Sequence, residues 1–411
     1  MSAQLTDVTA RDAGDPLREF RDLFQLRDGL IYLDGNSLGA APRAAADCVA
    51  EAVTNQWGEG LITSWLGAEW STAPQRIGDK IASILGAKPG EIVAADSTSV
   101  NIFKALTAAL SLRPDRSVIL SEATNFPTDV YMMQGIETFS GGRLKAVTVD
   151  PDAVLDRLGD DVAVLLLTQV HYKSGLVRDM AKVTRRAHAK GVLVIWDLSH
   201  SAGALPVDLN SSNADFAIGC GYKFLNGGPG APAFIFVAER HQAAAPVLSG
   251  WFGHASPFAF EEDYRPAGGI TRFLCGTPQV LGLAALECGV DLMSRVDMAE
   301  LRRKSLALGD LFIERMELRC GTFGFELVSP RDPALRGSQV SYTHPNAYEI
   351  VQALKERDVI GDFRAPDILR FGLTPLYLRY ADIAEAIEQL REICLTRAWD
   401  KPEYRTRAAV T

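Results

Sequence analysis

Seven short apolar runs mark the middle of the chain: EIVAAD (91–96), SVILSE (117–122), LKAVTV (144–149), VAVLLLTQV (162–170), GVLVIWDL (191–198), ADFAIGC (214–220) and APAFIFV (231–237). They are nearly continuous rather than alternating, which predicts strands covered on both faces, as in a mostly parallel sheet. Between several of them lie stretches with helical spacing, among them VNIFKALTAAL (100–110) and MAKVTRRAHAKG (180–191), the latter closing on a glycine. Such alternation predicts an α/β fold with a large sheet domain. From about Pro278 the texture changes. Two long helical patterns, 278–294 and 298–318, lead into shorter strands and helices that end near Arg397, and these predict a smaller α+β domain. The expected organisation is an N-terminal segment over 1–45 packing with the small domain, a large domain over 46–285 and a small domain over 286–411. The stretch WDKPEYRTRAAVT (399–411) reads as a tail, and no repeat or low-complexity linker is visible.

Composition narrows the function classes. At 411 residues the chain is long for one core. A net charge of −9 argues against nucleic acid or an anionic membrane as partner, while leaving room for a local basic pocket. No apolar run approaches the roughly 20 residues that span a bilayer. The first 20 residues carry Asp and Glu without an apolar core, so neither a signal peptide nor a transit peptide is expected, and the location expected is cytoplasmic. The six cysteines are scattered with no CxxC pair, which suits reduced thiols better than a disulfide framework or a zinc site.

Candidate chemistry falls at the ends of the apolar runs. Lys223 follows ADFAIGC, and Asp197 closes VLVIWD 26 residues earlier. A lysine and an aspartate so placed suit pyridoxal 5'-phosphate. The amine would hold the cofactor aldehyde as a Schiff base, and the carboxylate would keep the pyridine nitrogen protonated. Ser97-Thr98-Ser99 opens a helix after the first run, where N-caps and free N–H groups make a phosphate cradle. Taken alone it is a well-capped helix; beside Lys223 and Asp197 a phosphate site is the better reading. Phe126 could stack on a planar ring and Asp129 could meet its polar edge; an ordinary capped turn is an equal reading of that segment alone. Thr168 ends the fourth run, His200 lies three positions after Asp197, and Tyr222 precedes Lys223. The glycines of NGGPG (226–230) permit a sharp turn but lack the spacing of a dinucleotide loop.

The chain resembles the kynureninase family of fold type I, aspartate aminotransferase-like pyridoxal phosphate enzymes, in its bacterial form. The resemblance rests on YLDGNSLG (32–39), DSTSVN (96–101), NFPTD (125–129), WDLSHSAGALPVDL (196–209), GCGYKFLNGGPG (219–230), GWFG (250–253), RFLCGTP (272–278) and APDILRFG (365–372), which run colinearly through nearly the whole chain. It implies hydrolysis of the Cβ–Cγ bond of L-kynurenine, or its 3-hydroxy derivative, to the anthranilate and L-alanine, in tryptophan catabolism or NAD biosynthesis. Lys223, Tyr222 and Asp197 are then the catalytic groups. Thr98, Ser99, Phe126, Asp129, Thr168, His200, Trp251 and Thr277 join them around the cofactor. Asn36, Ser37, Trp65 and Arg370 would contact substrate, Arg370 as a carboxylate clamp. The resemblance also implies a homodimer with shared active sites, Trp251 and Thr277 being contributed across it. Two rivals are weighed: a cysteine desulfurase-like enzyme, for which Cys320 is the candidate nucleophile, and a cofactor-binding regulator, for which no DNA-binding segment is evident.

Overall fold

The structure, a computed structural model, describes residues 2–244 and 246–407, apart from the side chains of 2–6. The chain forms two compact units, one of residues 1–43, 171–177 and 296–411, the other of 44–170 and 178–295.

The larger unit is built on a seven-stranded sheet: β1 Ile92–Ala94, β2 Val118–Glu122, β3 Lys145–Val149, β4 Val162–Thr168, β5 Leu193–Asp197, β6 Phe216–Gly219 and β7 Phe234–Val237. Each falls within one of the apolar runs. The spatial order is β1-β7-β6-β5-β4-β2-β3. Strands β3, β2, β4, β5 and β6 pair in parallel, whereas β7 runs antiparallel to both β6 and β1. Every residue of β4, β5, β6 and β7 is buried, which is why these runs do not alternate. Helices α1 Thr98–Ser111, α2 Pro127–Phe139 and α3 Met180–His188 follow β1, β2 and β4. Apolar side chains of α1 and of α2 (Met133 and Ile136) share one core with Ile195, Phe216 and Ile235 of the sheet. The helix α4 Val280–Met293, the first of the two long helical patterns, belongs to this unit.

The second long pattern is α5 Met298–Cys320 of the smaller unit, capped by Asp297, whose carboxylate accepts from the backbone N–H groups of Ala299 and Glu300. It packs with α6 Tyr380–Thr396 and with a four-stranded antiparallel sheet. The strands of that sheet are β8 Glu326–Leu327, β9 Gln339–Thr343, β10 Asp362–Arg364 and β11 Ile368–Gly372, in the order β10-β11-β9-β8. Ile31–Tyr32 pairs in parallel with Val359–Ile360. Residues 171–177 leave the larger unit between β4 and α3 and bond to β9, with the Tyr172 and Lys173 carbonyls accepting from Gln339. The expected tail is partly structured: Pro402–Arg405 makes a 3-10 turn with Tyr404 buried, and 408–411 lie outside the described residues.

Candidate active site

Since β7 alone is reversed, β1, β2, β4, β5 and β6 end on the same edge of the sheet, where open α/β sheets bind ligands. Within the larger unit Ser97, Thr98, Ser99, Phe126, Thr128, Asp197, Ser199, His200, Tyr222 and Lys223 line a cavity of about 160 Å³ there. The first three come from the β1–α1 turn, in which Ser97 caps α1 by accepting from the Val100 N–H at 3.4 Å. Phe126 is the residue before Pro127 at the start of α2. Asp197 is the last residue of β5, and its carboxylate accepts from the Ser199 N–H at 2.7 Å.

Lys223 sits on the connection between β6 and β7 and is nearly buried. Its Nζ lies 3.5 Å from His200 Nε2, 5.7 Å from the Phe126 ring centre and 5.9 Å from that of Tyr222. A side chain at Gly221 would run into the Pro232 carbonyl oxygen and Leu286, so glycine lets the lysine-bearing turn lie flat on the returning strand.

Two carboxyl groups share this buried region. Burial is the largest influence on Asp197 and raises its pKa, partly offset by the Ser199 hydrogen bond and the charge of Lys223. Burial also raises Asp129 well above the usual carboxylate range, and the Asp197 charge pushes it further. Asp129 is held by Thr168, whose hydroxyl lies 3.5 Å from Asp129 Oδ2 and donates to Asn125 Oδ1; Asn125 donates to Ser121 Oγ at 3.0 Å. The Asp129 Oδ1 atom is buried with no partner of its own. Hydroxyls and N–H groups at a helix start, an amine beside an aromatic face and buried carboxyl groups form a donor set that fits a phosphorylated pyridine aldehyde.

The other expected residues fall elsewhere. Trp65 and Trp251 of the larger unit meet edge to face at 6.0 Å, in a cluster with Phe252 and Phe258. Thr277 is exposed just before α4. Asn36, Ser37 and Arg370 belong to the smaller unit, where Asn36 Nδ2 donates to Gln339 Oε1 at 3.4 Å. Arg370 is buried and well tied. Nε donates to Asp362 Oδ1 at 2.9 Å, Nη1 to the Tyr172 carbonyl at 2.7 Å, and Nη2 to Ser37 Oγ at 2.7 Å and to Asp362 Oδ2. Arg364 reaches the same Asp362 and Ser37 oxygens at 2.6 and 3.1 Å, and burial beside Asp362 raises Asp34 to about 7.

Sequence reasoning had Ser97 in the cradle but passed over Thr128 and Ser199 as cavity residues, and Asp34, Asp362 and Arg364 in the smaller unit. The near-neighbour positions of Thr128 and Ser199 to Phe126 and Asp197 were the available signal. For Asp34 it was its place inside YLDGNSLG.

The arrangement defines a fold type I pyridoxal phosphate enzyme, and solved structures share the fold. A cysteine desulfurase from Thermococcus onnurineus NA1 has TM-score 0.77 at 17% identity, covering 92% of this chain and 98% of that one. A cysteine desulfurase from Escherichia coli has TM-score 0.75 at 19% identity over 93% and 98%. A C-DES mutant with glycine covalently linked to the PLP cofactor has TM-score 0.76 at 19% identity over 90% and 99%. Sequence relatives narrow the class. The kynureninase C-terminal domain model matches residues 301–390. The kynureninase of Burkholderia pseudomallei (strain K96243) is 50% identical, covering 98% of this chain and 99% of its own, and that of Pseudomonas fluorescens is 47% identical over the same shares. The chain belongs to the kynureninase family.

Proposed function

We infer that the chain is a pyridoxal 5'-phosphate-dependent hydrolase that cleaves the Cβ–Cγ bond of L-kynurenine to give anthranilate and L-alanine, within tryptophan catabolism. The observation that carries this reading is the meeting of Lys223, Asp197, Phe126 and the start of α1 in one cavity, in a chain that is 50% identical over 98% of its length to a kynureninase. The cofactor supplies an electron sink when bound. Lys223 holds it covalently and moves the proton at the substrate α-carbon. Asp197 pairs with the ring nitrogen, His200 lies beside it, and Phe126 stacks on the ring. Asp129 and Thr168 border its polar side, and Thr98, Ser99 and Tyr222 hold the phosphate end. Tyr222 also acts as acid–base group for addition of water at the γ-carbonyl. Asn36, Ser37 and Trp65 contact substrate. Arg370 receives the α-carboxylate while Asp362, which Arg364 also reaches, holds its Nε–Nη2 edge in place.

The desulfurase alternative needs a reactive thiol. Cys320 is buried, and burial pushes it up to about 12, which leaves almost no thiolate at neutral pH. The proposed assembly is a homodimer in which Trp251 and Thr277 serve the partner's cofactor. Its support is the exposed apolar stretch Trp57, Leu61, Ile62 and Leu66, which are 56, 59, 75 and 81% exposed in the single chain. A cytoplasmic location fits six cysteines that all stand as free thiols.

The test supplies pyridoxal phosphate and L-kynurenine and follows anthranilate fluorescence together with alanine. Equal release of both products is expected, and Lys223→Ala should lose turnover and the visible band of the bound cofactor. A visible band without anthranilate would keep the cofactor and discard the substrate. Sulfide release from cysteine would move the chain to the desulfurase reaction.

A further inference from the structure

Helix α1 carries a lysine that the site as described leaves without a task. Lys104 is completely buried, one turn after Asn101, which is also fully buried. Both side chains point back at the β1–α1 turn. Asn101 Nδ2 donates to the Ala95 carbonyl at 2.9 Å, and Lys104 Nζ donates to the Asp96 carboxylate and, at 2.6 Å, to the Phe273 carbonyl. A leucine or methionine would fill this space without the cost of dehydrating an ammonium group, so packing alone does not account for lysine.

The residue it grips is itself unusual. Asp96 has φ +54, a left-handed conformation that disfavours most side chains, and it is the residue immediately before the cap Ser97. The Asp96 carbonyl accepts from the Ala233 N–H at 2.9 Å, which fixes the strand side of the turn. Cys275 Sγ lies 3.7 Å from each Asp96 carboxylate oxygen, on the segment that also supplies the Phe273 carbonyl. The strained residue is thus held by a backbone bond on one side and a buried cation on the other.

We propose that Lys104 is a positioning residue for the cofactor's phosphate: by pinning Asp96 it sets the β1–α1 turn so that the Ser97–Ser99 N–H and hydroxyl groups converge on one anion. The inference rests on the proposed role of that turn as the phosphate cradle. A preorganised cradle loses no freedom on binding, whereas a released turn must be ordered at the expense of affinity.

The test titrates the full-length apo-protein with pyridoxal phosphate and, separately, with pyridoxal, following quenching of tryptophan fluorescence, and records apo-protein melting alongside. Lys104→Met removes the grip. Asp96→Gly removes its target while keeping a residue at ease with positive φ. For both variants pyridoxal phosphate affinity should fall at least tenfold while pyridoxal affinity changes less than twofold. Equal loss for the two ligands, or no loss, would make Lys104 a packing residue and overturn the proposal. Opposite signs, weaker with Lys104→Met and tighter with Asp96→Gly, would overturn positioning in favour of a plain charge effect. Thr98→Ala separates the underlying reading. If it leaves the preference for pyridoxal phosphate over pyridoxal intact, the cradle reading fails and takes the proposal with it. If it erases that preference while Lys104→Met does not, the proposal alone fails.

Discussion

Asp362 in the smaller unit is nearly as buried as the arginine that holds it, and the two cannot be altered independently. Arg370→Ala would leave that carboxylate to Arg364 and Ser37. The expected loss of stability is about 3 kcal/mol, the low end for breaking a buried pair because one guanidinium remains. Denaturant unfolding checks this, and Arg370→Lys should recover most of the stability while still losing substrate affinity far more than cofactor affinity. Asp34 makes the opposite kind of prediction. Its folded pKa, raised to about 7 first by burial and then by the Asp362 charge, lies above that of an unfolded aspartate. Between about pH 4 and 7 the native chain therefore holds a proton that the unfolded chain has released, and this group's contribution to stability falls as pH rises through that window. Comparing unfolding midpoints of the wild type and Asp34→Asn from pH 4 to 8 isolates it: the variant should gain relative to wild type as pH rises, and parallel profiles would refute the argument.

Elements decide where the chemistry stands. The β6–β7 connection carries Lys223 and turns back tightly, so a methyl group at Gly221 has nowhere to go. Gly221→Ala should cost about 1–3 kcal/mol in unfolding free energy, as overpacking does, and should weaken cofactor binding because the lysine moves with the turn. Normal cofactor affinity in a destabilised variant would show that the turn tolerates the shift. The central strands were readable because double coverage makes β4 to β7 apolar almost throughout, and the lysine and aspartate were readable because they stand at the ends of such runs. Strand β3, with Lys145 and Thr148 exposed, is covered far less than its apolar run suggested. The reversal of β7 was not, since APAFIFV is equally apolar in either direction. The departure of 171–177 to the smaller unit was hidden as well, because HYKSGLV carries no composition shift. Lys104 was illegible for a simpler reason: nothing in the spacing of VNIFKALTAAL separates a buried lysine from one that faces water.

At the scale of the whole molecule, the exposed apolar stretch 57–66 is the feature a lone chain of 44.6 kDa does not explain. Sedimentation equilibrium should return about twice that mass. Ile62→Asp with Leu66→Asp should shift the protein toward monomer and cut turnover, as a shared site requires. An unchanged mass for the double variant would place the dimer contact elsewhere.

The pairing of Ile31 with Val359 has a consequence for biosynthesis. The strand at Ile31 leaves the ribosome 328 residues ahead of its neighbour, which at ordinary translation rates is roughly 15–65 s. Throughout that interval the larger unit can collect all seven strands from a contiguous stretch of nascent chain broken only by 171–177. The smaller unit cannot close until the residues beyond 296 have emerged. Its first segment must wait, unpaired and apolar at Ile31 and Leu33, until Val359 and Ile360 have emerged.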